Sequence, residues 1–446
     1  MEIPASAGDR GGKKKENKLA WWQLSLIGVG CIIGTGYFLG SGIGIKMAGP
    51  SVIVSFILAA IGTLIVSDAL MKMAAKDPQK GSFRSYAKKA FGKWAGFSSG
   101  WVYWFSEMLI TGSQLTALSI LSRFWFPNVP LWIFASGYAI LGILVVVIGT
   151  KGFERAQNIF AIIKVAAILM FIVLAIAVLI GLFGGSSMDF TVPKKVNEFF
   201  PNGMMGLWSS LIYGFYAFGG IEIMGIMTPR LRKKEDARKS GAYMLFILTA
   251  IYLASMVLAT GLVSLDKFSS EESPFVSALK KYNLDFFPHL FNGAIIIAGF
   301  STMAASLFAV TSMVVTLSED GDAPKFFSKK SWGKVPPYAL SLTICGIITS
   351  IILSFLMPDS VYEYITTGAG LMLLYNWMFI LVSLPKIIEA TGFDHLKRFI
   401  GMGLILLAVS GTVIQDSSRP GFFVSILFVV LVLLVLLVMH FKNKEN

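Results

Sequence analysis

Apolar runs of about 20 residues recur from one end of this 446-residue chain to the other, and they limit its fold more than any other feature. Coiled as a helix, such a run matches the roughly 30 Å hydrocarbon core of a bilayer. The spans fall near 19–48, 50–75, 94–122, 130–149, 156–183 and 203–228, then 242–265, 290–317, 337–357, 361–384, 396–414 and 421–441. Composition agrees: 55% of residues are hydrophobic and 14% charged, with a mean hydropathy of +0.72. A soluble domain would carry roughly 25% charged residues. The expected fold class is an all-α membrane protein with twelve transmembrane helices.

The basic residues orient the chain. With both termini cytoplasmic, 29 of the 38 Lys and Arg fall at the inner face and 8 at the outer, while Lys164 lies inside a span. That asymmetry follows the positive-inside rule. The net charge of +13 is spread over short loops with no basic domain, so nucleic acid is not an expected partner. The first span, behind the polar stretch GGKKKENK (11–18), lacks the short apolar core and cleavage site of a signal peptide. Cys31 and Cys345 are far apart without metal or redox spacing, and the three histidines are isolated. The sequence has neither His-Glu-x-x-His nor a Walker A motif, so no cofactor, metal or catalytic residue is expected, and the chain does not read as an enzyme.

One span is loaded with the residue least suited to a helix. GCIIGTGYFLGSG (30–42) carries glycine at 30, 34, 36, 40 and 42, each costing about 1 kcal/mol relative to alanine. Four-residue spacing of small residues also suits close helix packing. A counterpart in the sixth span, FYAFGGIEIMG (215–225), favours a different reading, because it pairs Gly219 and Gly220 with the acid Glu222. Interrupted helices at matching places in two halves point to an inverted-repeat transporter with its substrate site at the breaks, here near Gly34 and Gly220. Unwound backbone survives in hydrocarbon only where it lines a cavity. Its free N–H groups suit an anion and its free carbonyls a cation. An amino acid carries both charges on adjacent atoms.

Lys164 sits near the middle of the fifth span, in NIFAIIKVAAILMFIV. A lysine there costs about 2.5–3.5 kcal/mol on insertion scales. Snorkelling to the inner face is a reach of about 15 Å, so a functional role is the favoured reading. Glu222 leaves two roles open: taking part in gating, or accepting backbone N–H bonds that hold the break open.

Gly-x-x-Ile-Gly-Thr-Gly-x-Phe over 30–38, within the quoted glycine run, leads into Gly-Ser-Gly (40–42) and Ala-Gly-Pro (48–50). It resembles the first span of the amino-acid–polyamine–organocation (APC) permeases. GWVYWF (100–105), FWFPNVPLW (124–132), AFGGIE (217–222), SPFV (273–276) and GDAPKFF (321–327) resemble the same family, especially its bacterial amino-acid transporter branch. The resemblance implies a LeuT-like fold of two inverted five-helix repeats plus two peripheral helices. On that basis 1–18 is a cytoplasmic basic tail, 19–183 the first repeat, 184–202 an extracellular loop, 203–384 the second repeat, and 385–446 the two peripheral helices with the cytoplasmic end. It further implies that the amides of Thr35 and Gly36 hold the substrate carboxylate. The carbonyls of Ile32, Tyr216 and Gly219 would meet its ammonium, with Tyr216 closing over the substrate and Ala217 lining the pocket. In related proton-coupled members a lysine at the matching place occupies the position of a sodium ion in sodium-coupled relatives, and Lys164 is on that basis expected to carry the coupling proton.

Some positions depart from the family pattern. Ser113-Gln114 replaces Ala-Glu in the third span, and Glu107 replaces a Trp. Glu107 and Gln114 share a helix face. Glu107 either makes a structural hydrogen bond, the first-ranked role, or stands in for the missing acid, or lines the pocket and attracts a cationic side chain. After the sixth span TPRLRKKEDARK (228–239) replaces an acidic Asn-Pro pattern. The expected function is import of neutral, mostly apolar amino acids across the cytoplasmic membrane by proton symport. A cationic amino-acid permease or exchanger, and from another class a non-transporting amino-acid sensor, are the alternatives. Substrate, proton and lipid are the expected partners, and the sequence assigns no oligomeric state.

Overall fold

The computed structural model describes residues 18–79, 81–148, 150–182, 190–268, 272–280, 282, 284–329, 336–356 and 361–445. The expected tail, apart from Lys18, and the start of the loop at 184–202 lie outside these residues. The first apolar stretch is three helices, α1 (Trp21–Ile32), α2 (Thr35–Phe38) and α3 (Gly40–Ala48). After them come α4 (Val52–Lys76), the short α5 (Phe83–Phe91), α6 (Lys93–Ser122), α7 (Leu131–Ile148) and α8 (Thr150–Leu179). A single turn, α9 (Val196–Phe199), precedes a second interrupted stretch, α10 (Gly203–Ala217) and α11 (Ile221–Met227). The rest is α12 (Asp236–Leu262), α13 (Pro274–Leu279), α14 (Phe286–Glu319), α15 (Pro337–Leu356), α16 (Val361–Ile387), α17 (Gly392–Ile414) and α18 (Arg419–Glu445). Among the described residues there is no strand, only an isolated bridge between Leu19 and Leu231. Eight helical stretches there are long and apolar enough to cross a membrane, and Trp21–Ile32, Leu131–Val147 and Pro337–Ile352 are shorter apolar helices.

Helix α6 buries many hydroxyl-bearing residues, and its sequence shows how that is tolerated. Thr111, Thr116, Ser119 and Ser122 each return a hydroxyl to the carbonyl four residues back, at 2.7–3.0 Å. Hydroxyls paired within their own helix add no unsatisfied group to an apolar surrounding. This helix packs against α14 on one side and α16 on the other. Helix α10 lies against α3 and α4, α4 against α12, and α8 against α1 and α14. The two interrupted stretches are therefore enclosed by continuous helices.

Two peripheral features differ in how they bury their residues. All six residues of α13 are buried, and Phe275 meets the rings of Phe38, Tyr37, Phe171 and Phe291. Helix α13 is thus anchored in the core by its aromatic contacts. Helix α18 buries only 11% of its most apolar window. It packs along α16 and leaves Phe423, Leu427, Leu434 and Val438 exposed.

Candidate functional site

The first interruption is an extended pair, Ile33 (φ −66°, ψ 112°) and Gly34 (φ −153°, ψ −166°). Tyr37 and Phe38 both donate their amides to the Gly34 carbonyl at 3.1 Å. The amides of Thr35 and Gly36 therefore stand at the start of α2, ahead of any helical acceptor. On the other side of the break, the carbonyls of Cys31 and Ile32 end α1. The second interruption covers Phe218, Gly219 and Gly220, where Gly220 takes φ +114°. The two breaks touch: a Cβ at Gly220 would lie 3.2 Å from the Ile32 side chain and 3.4 Å from the Cys31 carbonyl oxygen.

Tyr216 bridges the breaks. Its ring covers Gly36 so closely that a Cβ there would come within 2.8 Å of it, which only glycine permits. Its hydroxyl is 2.7 Å from that of Ser113 on α6. Its carbonyl accepts from Gly219 N at 3.0 Å and stands at the open end of α10. Tyr252 donates to the Ala217 carbonyl at 3.3 Å. Thr35 donates its hydroxyl to Gln114, and Tyr362 donates to the Thr35 carbonyl at 3.1 Å. Thr302 lies beside Gly34. Ile32, Thr35, Gly36, Tyr216 and Ala217 are all buried, and Gly219 is half-buried.

The charged candidates converge on the same breaks. Lys164, fully buried on α8, donates from Nζ to the Gly30 carbonyl, in the last turn of α1. Glu222, also fully buried, accepts from Trp377 of α16 through Oε1 and from the Gly220 amide at 3.1 Å through Oε2. That second bond is of the kind a backbone-holding role needs. Glu107 is buried beside Ser306 and Tyr103.

Sequence reasoning missed Thr302, Tyr362 and Trp377. Trp377 carried a usable signal, since an indole N–H in an apolar span must find an acceptor. Thr302 and Tyr362 carried none: Thr302 returns its hydroxyl to its own helix and only its place beside Gly34 matters, while the partner of Tyr362 lies 327 positions away. At the second break, Gly220→Ala forces an alanine into a left-handed conformation costing about 1–2 kcal/mol. We expect a lower unfolding midpoint in a thermal scan of the purified protein, and an unchanged midpoint would show that the break relaxes.

The amino acid permease family profile matches residues 23–444. The uncharacterized transporter YcgH of Bacillus subtilis is 56% identical over 436 residues, covering 97% of this chain and 98% of the relative. The aromatic amino acid transport protein AroP of Corynebacterium glutamicum is 32% identical over 371 residues, covering 82% of this chain and 80% of the relative. AroP of Escherichia coli is 26% identical over 446 residues, covering 98% of each chain. Matches of this extent, on a chain of apolar helices, indicate a multi-pass membrane transporter rather than an enzyme. The chain belongs to the amino acid permease family.

Proposed function

We propose that the protein imports neutral, mostly apolar amino acids, aromatic ones included, across the cytoplasmic membrane by proton symport. The observation that carries this reading is the meeting of two broken helices at Gly34 and Gly220, with a lysine ammonium on the backbone beside them. The Thr35 and Gly36 amides receive the substrate carboxylate. The carbonyls of Ile32, Tyr216 and Gly219 receive its ammonium, while Tyr216 and Ala217 face its side chain. Lys164 carries the coupling proton, and Glu222 holds the second break in register. The names of the AroP relatives support aromatic substrates.

The architecture that accompanies this reading has twelve spans. Residues 19–183 and 203–384 are inverted five-helix repeats, and α17 and α18 are peripheral. Both termini are cytoplasmic, consistent with the distribution of Lys and Arg. The reading is tested by a thermal-shift screen of the twenty amino acids, followed by uptake of the best ligand into proteoliposomes with and without a pH gradient. Neutral apolar or aromatic amino acids are expected to raise the unfolding midpoint, since a ligand bound only to the folded state stabilises it. Arginine or lysine binding best, and losing that preference in Glu107→Gln, would overturn the substrate class. Binding with neither gradient-driven uptake nor exchange of labelled for unlabelled substrate would make the protein a sensor.

A further inference from the structure

The basic run that follows the second break has no part in the substrate site. Arg232, Lys233, Lys234, Arg238 and Lys239 are all exposed, at and just before the start of α12. Beside them the surface between α4 and α12 hollows into a groove of about 500 Å³. Ile57, Ile61, Leu64, Tyr243, Phe246 and Leu253 are among its lining residues. Along α12 it runs from Ala242 to Leu253, about 16 Å at the helical rise. Phe246 is 74% exposed, with Leu64 and Ile61 also turned outward, so the groove opens to the surroundings of the bundle rather than to its core.

One end of the groove is polar. Arg238 Nε reaches Asp68 Oδ1 of α4 at 2.9 Å and closes the space between the two helices there. Lys239, one turn before Tyr243, holds its ammonium 4.2 Å from the centre of the Trp21 ring and 5.9 Å from that of Tyr243. Those two rings are themselves 5.2 Å apart. Among the described residues Lys239 faces these rings and no carboxylate. Trp, Tyr and Lys gathered at one end of an apolar helical surface are what the bilayer interface selects. An apolar groove facing hydrocarbon takes an acyl chain, and a cluster of cations at its mouth takes an anionic headgroup.

We propose that the groove between α4 and α12 is a binding site for one anionic phospholipid. The acyl chain lies along Ile57–Leu64 and Ala242–Leu253, and the phosphate sits on Lys239 with Lys233 and Lys234 nearby. The site is independent of which amino acid the protein carries.

Native mass spectrometry of the purified full chain, titrated with dioleoylphosphatidylglycerol or dioleoylphosphatidylcholine, tests it. One phosphatidylglycerol is expected to be retained, with phosphatidylcholine bound far more weakly. Replacing the three lysines together (K233Q, K234Q, K239Q) is expected to weaken phosphatidylglycerol at least about 10-fold and leave phosphatidylcholine unchanged. Thr249→Trp, which fills the groove and keeps the charges, is expected to weaken both lipids. All four positions lie on the outward side of α12 or ahead of it, and either variant alone decides the matter. Undiminished phosphatidylglycerol in the lysine variant overturns the proposal. So does displacement by free glycerol phosphate at equal concentration, which would mean a plain anion site. A dimer mass abolished by Thr249→Trp overturns it in favour of a second copy of the chain.

Discussion

Lys164→Gln is expected to abolish pH-driven accumulation of substrate in proteoliposomes while leaving substrate binding measurable. The substitution separates two things the ammonium does. Glutamine still donates a hydrogen bond toward the Gly30 carbonyl, so the end of α1 keeps a partner for its exposed backbone. Glutamine cannot take up or release a proton. A transporter whose driving ion rides on that side chain then loses accumulation against a gradient, and exchange of labelled for unlabelled substrate without a gradient survives. Accumulation that persists in the variant would place the proton elsewhere and reduce Lys164 to a structural donor. The burial of this lysine makes the contrast large, because the side chain lies wholly inside the protein with a backbone carbonyl as its partner.

The second large effect is expected where α5 meets the chain just beyond α14. Arg84 of α5 is fully buried and paired with Asp322, which is equally buried, and with the half-exposed Asp320. Lys88 stands 3.7 Å from Asp322, too far to replace the lost donor fully. Arg84→Met is therefore expected to destabilise the protein by about 3–5 kcal/mol, the cost of leaving a buried charge without its partner. The unfolding midpoint at a fixed scan rate measures it. Arg84→Met combined with Asp322→Leu is expected to recover much of the loss, since replacing a whole buried pair by apolar groups is often neutral. A single variant that unfolds at the original midpoint would mean that Asp322 is already satisfied by Lys88.

What the sequence disclosed, and what it withheld, divides along one physical line. Breaks at 34 and at 219–220 were legible because glycine in an apolar span has a local cost that needs a local reason. Lys164 was legible for the same kind of reason, as a charge in hydrocarbon. The partners were not. Nothing near Trp377 in sequence points to Glu222, 155 positions away, and Tyr362 reaches Thr35 across 327. Glu107 and Gln114 share a face of α6, yet that face turns past two different neighbours, Ser306 at one level and Thr35 at the other. Periodicity gives the face and leaves the neighbour open. The departures from the family pattern after the sixth span likewise told where the chain differs, while Arg84 with Asp320 and Asp322 drew no notice because each is ordinary in its own loop.

The bridge between Leu19 and Leu231 has a mechanical consequence. Leu19 donates to the Arg230 carbonyl at 2.8 Å and accepts from the Arg232 amide at 2.9 Å. These bonds staple the chain just ahead of α1 to the chain just beyond α11. Both of those rods are severed from their outer counterparts at the breaks, so each would otherwise pivot on its own hinge. Joined at these tips, the two rods are tied to move together rather than each about its own break.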